Sequence, residues 1–152
     1  MYTKELAELV QEPKPRKGSA PKCRNWMLTL NNPADHLQEV DVDAWVQKVL
    51  RANGAECGAA QLEKGEENGT VHIQAYVRYR NARTFQSIRK HFQHCHILAA
   101  NAARASWDYC TKEKTRIDGP YTFGCPPTAR NKPREVAQRN KEIIEGGLTQ
   151  AV

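Results

Sequence analysis

The chain has 152 residues, 39% of them hydrophobic, which is enough for one domain with an apolar core. Its formal net charge of +6 favours a polyanionic partner, because basic side chains that neutralise phosphates release bound counterions. No run of apolar residues approaches the about 18 that a membrane helix needs, and the N-terminal residues do not resemble a secretory signal, so we expect an intracellular protein without membrane contact. The 5 cysteines include no Cys-x-x-Cys pair, which argues against a disulfide framework and against a zinc knuckle.

The N-terminal segment, residues 1–22, combines three prolines with a basic cluster formed by Lys14, Arg16 and Lys17. Prolines and clustered like charges disfavour regular structure. We therefore expect a flexible basic arm. A solvated leader is favoured over an arm that contacts a nucleic acid.

The first strand is expected to run from Arg24 to Leu30. Trp26, Leu28 and Leu30 alternate with other residues and therefore project from one side of an extended chain. The sequence Asn-Asn-Pro at residues 31–33 is typical of a turn, so the strand should end there.

A helix and a hairpin should follow this strand. Apolar residues at helical spacing predict an amphipathic helix over residues 41–54, namely Val42, Trp45, Val46 and Val49. Two further strands, Cys57–Glu63 and Val71–Arg80, are separated by a segment that contains Asn68-Gly69. Because Asn-Gly is a strong hairpin signal, these strands should be antiparallel neighbours.

The remaining segments are shorter, and their apolar patterns predict alternating helices and strands. We expect helices over residues 84–92 and 103–114, strands within residues 94–100 and 120–124, and a terminal helix over residues 133–147. The resulting order is that of a split βαβ arrangement. The predicted fold class is therefore α+β, ferredoxin-like, with an antiparallel sheet of about five strands and helices packed on it.

Polar residues on the two hairpin strands form the first candidate site. His72 and Gln74 are two positions apart and project from the same face of their strand, and Glu63 lies near the end of the neighbouring strand. An imidazole nitrogen, an amide oxygen and a carboxylate oxygen suit Mg²⁺ or Mn²⁺ better than a closed zinc site. Taken alone, an exposed cross-strand polar pair is the commoner explanation of His-x-Gln.

Tyr109 and Lys112 form the second candidate site. Three residues apart on the predicted helix, a phenol and an ammonium could reach one phosphate together. A phenolate can attack phosphorus, and a lysine can offset the charge on the phosphate. An ordinary helix surface with a structural tyrosine is the alternative.

These motifs, in this order, resemble the HUH-type nicking domains of replication initiators from circoviruses, nanoviruses and related small circular single-stranded DNA viruses. WMLTLNNP (residues 26–33) is similar to the first motif, VHIQAY (71–76) to the metal motif and WDYCTKE (107–113) to the tyrosine motif. GPYTFG (119–124) is similar to the segment that follows in nanovirus-like members. Gln74 stands where the wider superfamily has a second histidine, a feature that the circovirus-like branch shares.

The resemblance covers about residues 24–125 and implies three parts. These are the arm at residues 1–22, an HUH endonuclease domain at 23–126, and a C-terminal helix or linker at 127–152 that would lead toward a helicase domain. Full initiators carry an ATP-driven helicase, but no G-x-x-x-x-G-K-[ST] occurs in this sequence. Homo-oligomers are expected only of a full-length protein with its helicase.

The activity implied by the resemblance is nicking and joining of single-stranded origin DNA, which initiates rolling-circle replication in the host nucleus. Tyr109 would be the nucleophile that forms a 5′-phosphotyrosine, with Lys112 as its partner. Glu63, His72 and Gln74 would hold one divalent cation, Mg²⁺ or Mn²⁺. Asn31 and Asn32 are expected to help recognise the origin strand. Arg78, Arg80 and Arg83 are candidate contacts to the DNA backbone because of their charge, and for any one of these arginines an ordinary solvated surface charge is the favoured alternative.

Two other classes of function are compatible with the same order of elements. One is a non-catalytic nucleic-acid binding module like the RNA-recognition domains, whose sheet aromatics stack on bases. Tyr76 and Tyr79 would have to do this here, but three residues apart they should face opposite sides of the sheet. The other is a structural or interaction domain, which would leave the candidate site residues without a shared task.

Overall fold

One antiparallel sheet organises the computed structural model, which describes residues 4–11 and 21–128. In chain order the elements are α1 (Lys4–Leu9), β1 (Val10–Gln11), β2 (Lys22–Asn31), α2 (Val42–Trp45), β3 (Ala55–Lys64), β4 (Val71–Thr84), α3 (Phe85–His91), β5 (His96–Ala100), α4 (Ala103–Tyr109) and β6 (Arg116–Phe123). A 3-10 turn at Pro33–Asp35 follows β2, and a π-helical turn at Val46–Leu50 continues α2.

The strands lie in the order β1-β5-β2-β4-β3-β6, and every neighbouring pair is antiparallel. The predicted α+β class and the predicted antiparallel sheet are therefore confirmed. The two-residue strand β1 adds a sixth member at one edge. Among the described residues no helix has the length and apolar character needed to cross a bilayer.

The first face of the sheet carries the larger apolar core. Trp26, Leu28 and Leu30 point to this face, as the alternation in β2 predicted. They join side chains of α2, its π-helical continuation and α3, including Trp45, Leu50, Ile88 and Phe92. This core supplies much of the apolar burial that holds the domain together.

The second face is apolar at one end and polar at the other. Met27, Ala59 and Tyr76 lie on it and are covered by Leu6 of α1 and Trp107 of α4. The sequence reading treated this side of β4 as a working surface, yet Gln74 and Tyr76 are almost completely buried. Gln74 and Tyr76 therefore do not lie on open sheet, whereas His72 is half-buried and Asn31 is exposed farther along the same face.

The β3–β4 hairpin confirms that these two strands are antiparallel neighbours, with residues 65–70 as the loop between the last pair, Lys64 and Val71. Gly69 adopts a left-handed backbone conformation with φ 66°, which glycine reaches without a Cβ clash. Glu63 is paired with His72, and Gln61 with Gln74. The turn thus fixes which polar side chains become neighbours across the two strands.

Part of the segment expected to be an arm has regular structure. α1 and β1 occupy Lys4–Gln11, and Val10 pairs with Ala100 at the edge of β5. Leu6 is buried in the second core, because the side of α1 that carries it faces α4 and the sheet. Flexibility was therefore the wrong expectation for these residues, while residues 12–20 lie outside the described part.

Other element boundaries also differ from the expected ones. α4 ends at Tyr109 and does not continue through Lys112, because the Thr111 hydroxyl donates to Trp107 O and Asp108 O and closes the last turn. β6 begins four residues earlier than the expected strand at residues 120–124. The terminal helix predicted at residues 133–147 lies outside the described residues.

Candidate functional site

The site is a patch of polar side chains on the second face of the sheet, where β2, β4 and β3 lie side by side. The register places its members in two adjacent rows across the strands: Asn31, His72 and Glu63 in one, and Thr29, Gln74 and Gln61 in the other. The segment after α4 covers one end of these rows. The structure therefore brings the hairpin residues and the α4 residues to a single place.

Glu63 is the centre of the patch. Its side chain is 2% exposed, and its Oε1 lies 3.1 Å from His72 Nε2. Lys112 Nζ donates to Oε1 at 2.9 Å and to Oε2 at 2.8 Å, and Gln61 Nε2 donates to Oε2 at 2.6 Å. Burial alone raises the pKa of the Glu63 carboxyl, but hydrogen bonds from His72, Lys112 and Gln61 outweigh it and hold that pKa below 4.5.

The orientation of His72 is set by a backbone carbonyl. Its Nδ1 lies 3.2 Å from Thr70 O, and because a carbonyl oxygen can only accept, this contact is a hydrogen bond in the tautomer that has its proton on Nδ1. Nε2 is left facing the Glu63 carboxylate, which is a second acceptor. Such a pair is satisfied either by a proton on Nε2 or by a cation that both atoms contact.

Tyr109 and Lys112 lie together, but not as neighbours on one helix face. Lys112 follows the end of α4, and its Nζ returns to within 3.2 Å of Tyr109 O and 3.8 Å of the centre of the Tyr109 ring. The ammonium thus stands between the tyrosine and Glu63. The Tyr109 residue is 6% exposed, so its ring is largely covered.

Gln74 is buried beside this group and is held by other partners. Its Oε1 accepts from Thr29 Oγ1 at 3.1 Å, and its Nε2 donates to Leu28 O at 3.2 Å. Cys110 lies under the same amide, and burial raises the pKa of its thiol well above 9.0. Gln74 is therefore fixed in the row next to Glu63 and His72.

Two contributors to the site were not foreseen from the sequence. Thr29 holds the amide of Gln74, and Gln61 holds the carboxylate of Glu63. Gln61 could have been found, because it is a polar residue in an apolar strand, two positions before Glu63 and hence on the same face. Thr29 carries no comparable signal.

The donor chemistry fits a hard divalent cation with few protein ligands. Within the described part of the chain no group of three or more His, Cys, Asp or Glu side chains could hold a metal ion. A cation at Glu63 and His72 would therefore need a ligand of another kind, and Gln74 in the adjacent row carries an amide oxygen that could supply one. Mg²⁺ and Mn²⁺ accept oxygen ligands of this kind and keep several waters.

The five residues expected to contact DNA are spread over a wider area. Asn31 and Asn32 are exposed at the end of β2, where Asn31 is paired with His72. Arg80 is exposed on β4. Arg78 lies beside Glu56 at 3.5 Å, six residues along the strand from His72 and thus about 20 Å away.

Arg83 lies elsewhere. Its guanidinium carbon is 5.0 Å from the centre of the Tyr79 ring, and Tyr79 belongs to the core on the first face. Of the five residues, Asn31 is the one that the strand pairing places directly beside the polar patch.

Known proteins resemble this chain over the part that carries the site. Residues 23–113, more than half of the chain, match the model of a family described as "Putative viral replication protein". The master replication protein of banana bunchy top virus is 32% identical over 100 residues, which cover 65% of this chain and 30% of that protein.

Two viral replication-associated proteins show similar identities. The replication-associated protein of porcine circovirus 1 is 29% identical over 106 residues, covering 65% of this chain and 31% of that protein. The replication-associated protein of beak and feather disease virus is 29% identical over 96 residues, which cover 60% of this chain and 29% of that protein. The match thus spans about a third of the length of these relatives, and with the family model it shows that the chain belongs to the family of viral replication proteins.

Proposed function

We propose that this domain cuts and rejoins single-stranded DNA at a viral replication origin and so initiates rolling-circle replication, with Tyr109 as the nucleophile. The names of the relatives support a role in replication. The observation that carries the nicking activity is the continuous chain of contacts from Tyr109 through Lys112 to Glu63 and His72. These are the side chains that phosphoryl transfer to a tyrosine needs.

In the proposed reaction the Tyr109 phenolate oxygen attacks the scissile phosphorus. A bond from phosphorus to the tyrosine oxygen forms, and the bond from phosphorus to the 3′-oxygen of the preceding nucleotide breaks. The phenol loses its proton to solvent, and the departing 3′-oxygen takes one up. The products are a 5′-phosphotyrosine and a free 3′-hydroxyl, and reversal of the same steps joins two strands.

Lys112 has the charge and position to assist this reaction. Its ammonium lies against the Tyr109 ring, so it is within reach of a phosphate that the phenol attacks. In that position it would offset the negative charge that develops on the phosphate oxygens. The Tyr109 residue is 6% exposed, and Lys112 is one of the side chains that cover its ring.

Glu63, His72 and Gln74 would hold one Mg²⁺ or Mn²⁺ at the polar patch. When bound, this cation would supply Lewis-acid charge and orient the scissile phosphate. The protein's own contribution is to fix the donors in place: Thr70 O orients His72, and Thr29 orients Gln74. Lys112 holds both oxygens of Glu63, so a cation at this carboxylate would compete with the ammonium.

Asn31, next to the patch, is proposed to help recognise the origin strand, with Asn32, Arg78, Arg80 and Arg83 as further contacts. Self-association is proposed only for a longer protein with its helicase, and the host nucleus is the proposed location. The alternative of a non-catalytic module like the RNA-recognition domains is disfavoured. Tyr76 and Tyr79 are 0% and 1% exposed and cannot stack on bases.

The proposal is tested by incubating the protein with Mn²⁺ and a single-stranded oligonucleotide that carries a viral-type origin, followed by a denaturing gel. A slower covalent band that requires Mn²⁺ is expected for the wild type. Tyr109→Phe should abolish it, and Tyr121→Phe, the same change at a half-buried strand position beside the core of the first face, should retain it. Binding of the strand without any covalent band would instead indicate a binding module.

A further inference from the structure

Gln61 stands out among the buried residues because its side chain joins the two halves of the site. It lies within β3 and is 0% exposed. Its Nε2 donates to Glu63 Oε2 at 2.6 Å and to the backbone oxygen of Lys112 at 2.7 Å. Both partners can only accept, so the orientation of the amide is fixed by its surroundings.

The side-chain amide of Gln61 is unfavourable as a purely space-filling group in the core. Gln61 Oε1 is buried without a hydrogen-bond partner among the residues that the structure describes, and an unpaired buried carbonyl destabilises a fold. Ala59, two residues earlier on the same face, lies in the apolar part of the sheet. An apolar side chain at position 61 would avoid the unpaired oxygen, so the role of the amide lies in the contacts that its nitrogen makes.

Those contacts join the carboxylate of the hairpin to the segment after α4. Glu63 shares its Oε1 with His72 and Lys112, whereas its Oε2 is held by Lys112 and Gln61. Without Gln61 the carboxylate would lose a donor that sets its rotation. Lys112 would at the same time lose the bond that ties its backbone to β3.

We infer that Gln61 is a positioning residue, which aims the Glu63 carboxylate toward His72 and holds the Tyr109–Lys112 segment against it. The inference rests on the proposed function, because it assigns Gln61 to the cation site and to the nucleophile of that reaction. Gln61 acts through Glu63 and Lys112. Loss of the amide should therefore weaken both cation binding and strand cleavage without weakening DNA binding.

The test compares Gln61→Met with Gln47→Met. Methionine has about the size of glutamine but cannot donate a hydrogen bond, and Gln47 is exposed on the π-helical turn beyond the opposite face of the sheet. Mn²⁺ affinity is measured on the DNA-free protein from the electron paramagnetic resonance signal of free Mn²⁺. Adduct formation is measured at several oligonucleotide concentrations, which separates kcat from KM.

Gln61→Met should bind Mn²⁺ about tenfold more weakly, the effect typical of losing a group that orients a metal ligand. Its kcat should fall with KM unchanged, while Gln47→Met should match the wild type. Thermal unfolding checks that each variant is folded at the assay temperature, and Gln61→Leu replaces Gln61→Met if the latter is not.

Wild-type Mn²⁺ affinity in a folded Gln61 variant would overturn the inference, and so would a wild-type domain that binds no Mn²⁺. A fall in thermal stability alone, with affinity and kcat unchanged, would show a purely structural residue and overturn it as well. If the wild type binds Mn²⁺ but forms no adduct, the proposed nuclease function fails. The comparison of Mn²⁺ affinities then still decides whether Gln61 aims Glu63.

Discussion

Three donors converge on the carboxylate of Glu63, and one of them is a second formal charge from a different element. Removing two charges from water costs free energy that their attraction often fails to repay, so a buried ion pair is weak support for stability as such. The Glu63–Lys112 pair is nevertheless almost enclosed, with side chains 2% and 20% exposed. Because such a pair adds little stability, its position between the hairpin and Tyr109 is explained better by the proposed reaction than by a contribution to the stability of the fold.

Replacing Lys112 by methionine should destabilise the domain, because it leaves the buried Glu63 carboxylate without its countercharge. Breaking a buried pair from one side costs about 3 kcal/mol, whereas an exposed pair contributes under about 1 kcal/mol. Lys114→Met is the matched control, since Lys114 pairs with Glu66 at the surface, with side chains 74% and 58% exposed. Urea unfolding measures both, and equal losses would show that the Glu63–Lys112 pair is no stronger than a surface pair.

The titration of Glu63 gives a second prediction. Because folding lowers the pKa of this carboxyl below 4.5, the group contributes stability above that pH, and the contribution is lost as pH falls through the folded-state value. Glu63→Gln has no such titration. The difference in free energy of unfolding between wild type and variant should therefore be largest near pH 7 and shrink below pH 4.5.

The measurement is a series of denaturant unfolding curves for both proteins from about pH 7 to about pH 3. The other carboxylates are common to both chains, so they largely cancel in the difference. A gap that stays constant, or widens in acid, would be incompatible with a lowered pKa for Glu63.

Single residues could be placed from the sequence where they lie in strands, because side chains alternate between the two faces of a strand. His72 and Gln74 could be placed on one face, and the Asn-Gly signal made the strand of Glu63 their neighbour. The direct pairing of Glu63 with His72 is known only from the structure, because the loop between the strands has six residues and not the two of a tight Asn-Gly turn. Lys112 could not be placed in this way, since its position depends on where α4 ends. The assumed helical spacing kept it near Tyr109, but its bond to Glu63 is a tertiary contact without a local signal.

Among the elements, β3, β4 and α3 were predictable because they are long or strongly patterned. α1 was not, since six residues give too little periodicity and the prolines and basic residues beyond it dominated the interpretation. Its place in the fold becomes visible only when Leu6 meets the second core. The second face of the sheet is thus covered by α1, near the beginning of the described chain, and by α4, near its end.

Leu6→Ala should accordingly destabilise the domain by about 3 kcal/mol, as for other buried leucines that leave a cavity. Val40→Ala, at a position 38% exposed, should change the free energy of unfolding by under about 0.5 kcal/mol. Thermal or urea unfolding distinguishes the two. Similar small effects would mean that α1 is not a stable part of the domain in solution.

The whole molecule divides its sheet between two tasks. The first face is packed against α2 and α3 and stabilises the fold, while the second has an apolar end under α1 and α4 and a polar patch beside the segment that follows α4. The order of elements was enough to predict this class of fold, because few arrangements pack two helices on such a sheet. It did not reveal that Gln74 and Glu63 are almost completely buried or that Tyr109 is only 6% exposed.

The central claim is that Tyr109 becomes linked to DNA, and the most direct measurement is the identity of the linked residue. The trapped adduct is digested with trypsin and nuclease, and the modified peptide is identified by mass spectrometry. Cleavage after Arg104 and Lys112 places Tyr109 in the peptide of residues 105–112, separate from Tyr121. We expect a nucleotide phosphate on Tyr109 in that peptide, whereas a phosphate on another residue, or a bound strand without any linkage, would show that Tyr109 is not the nucleophile.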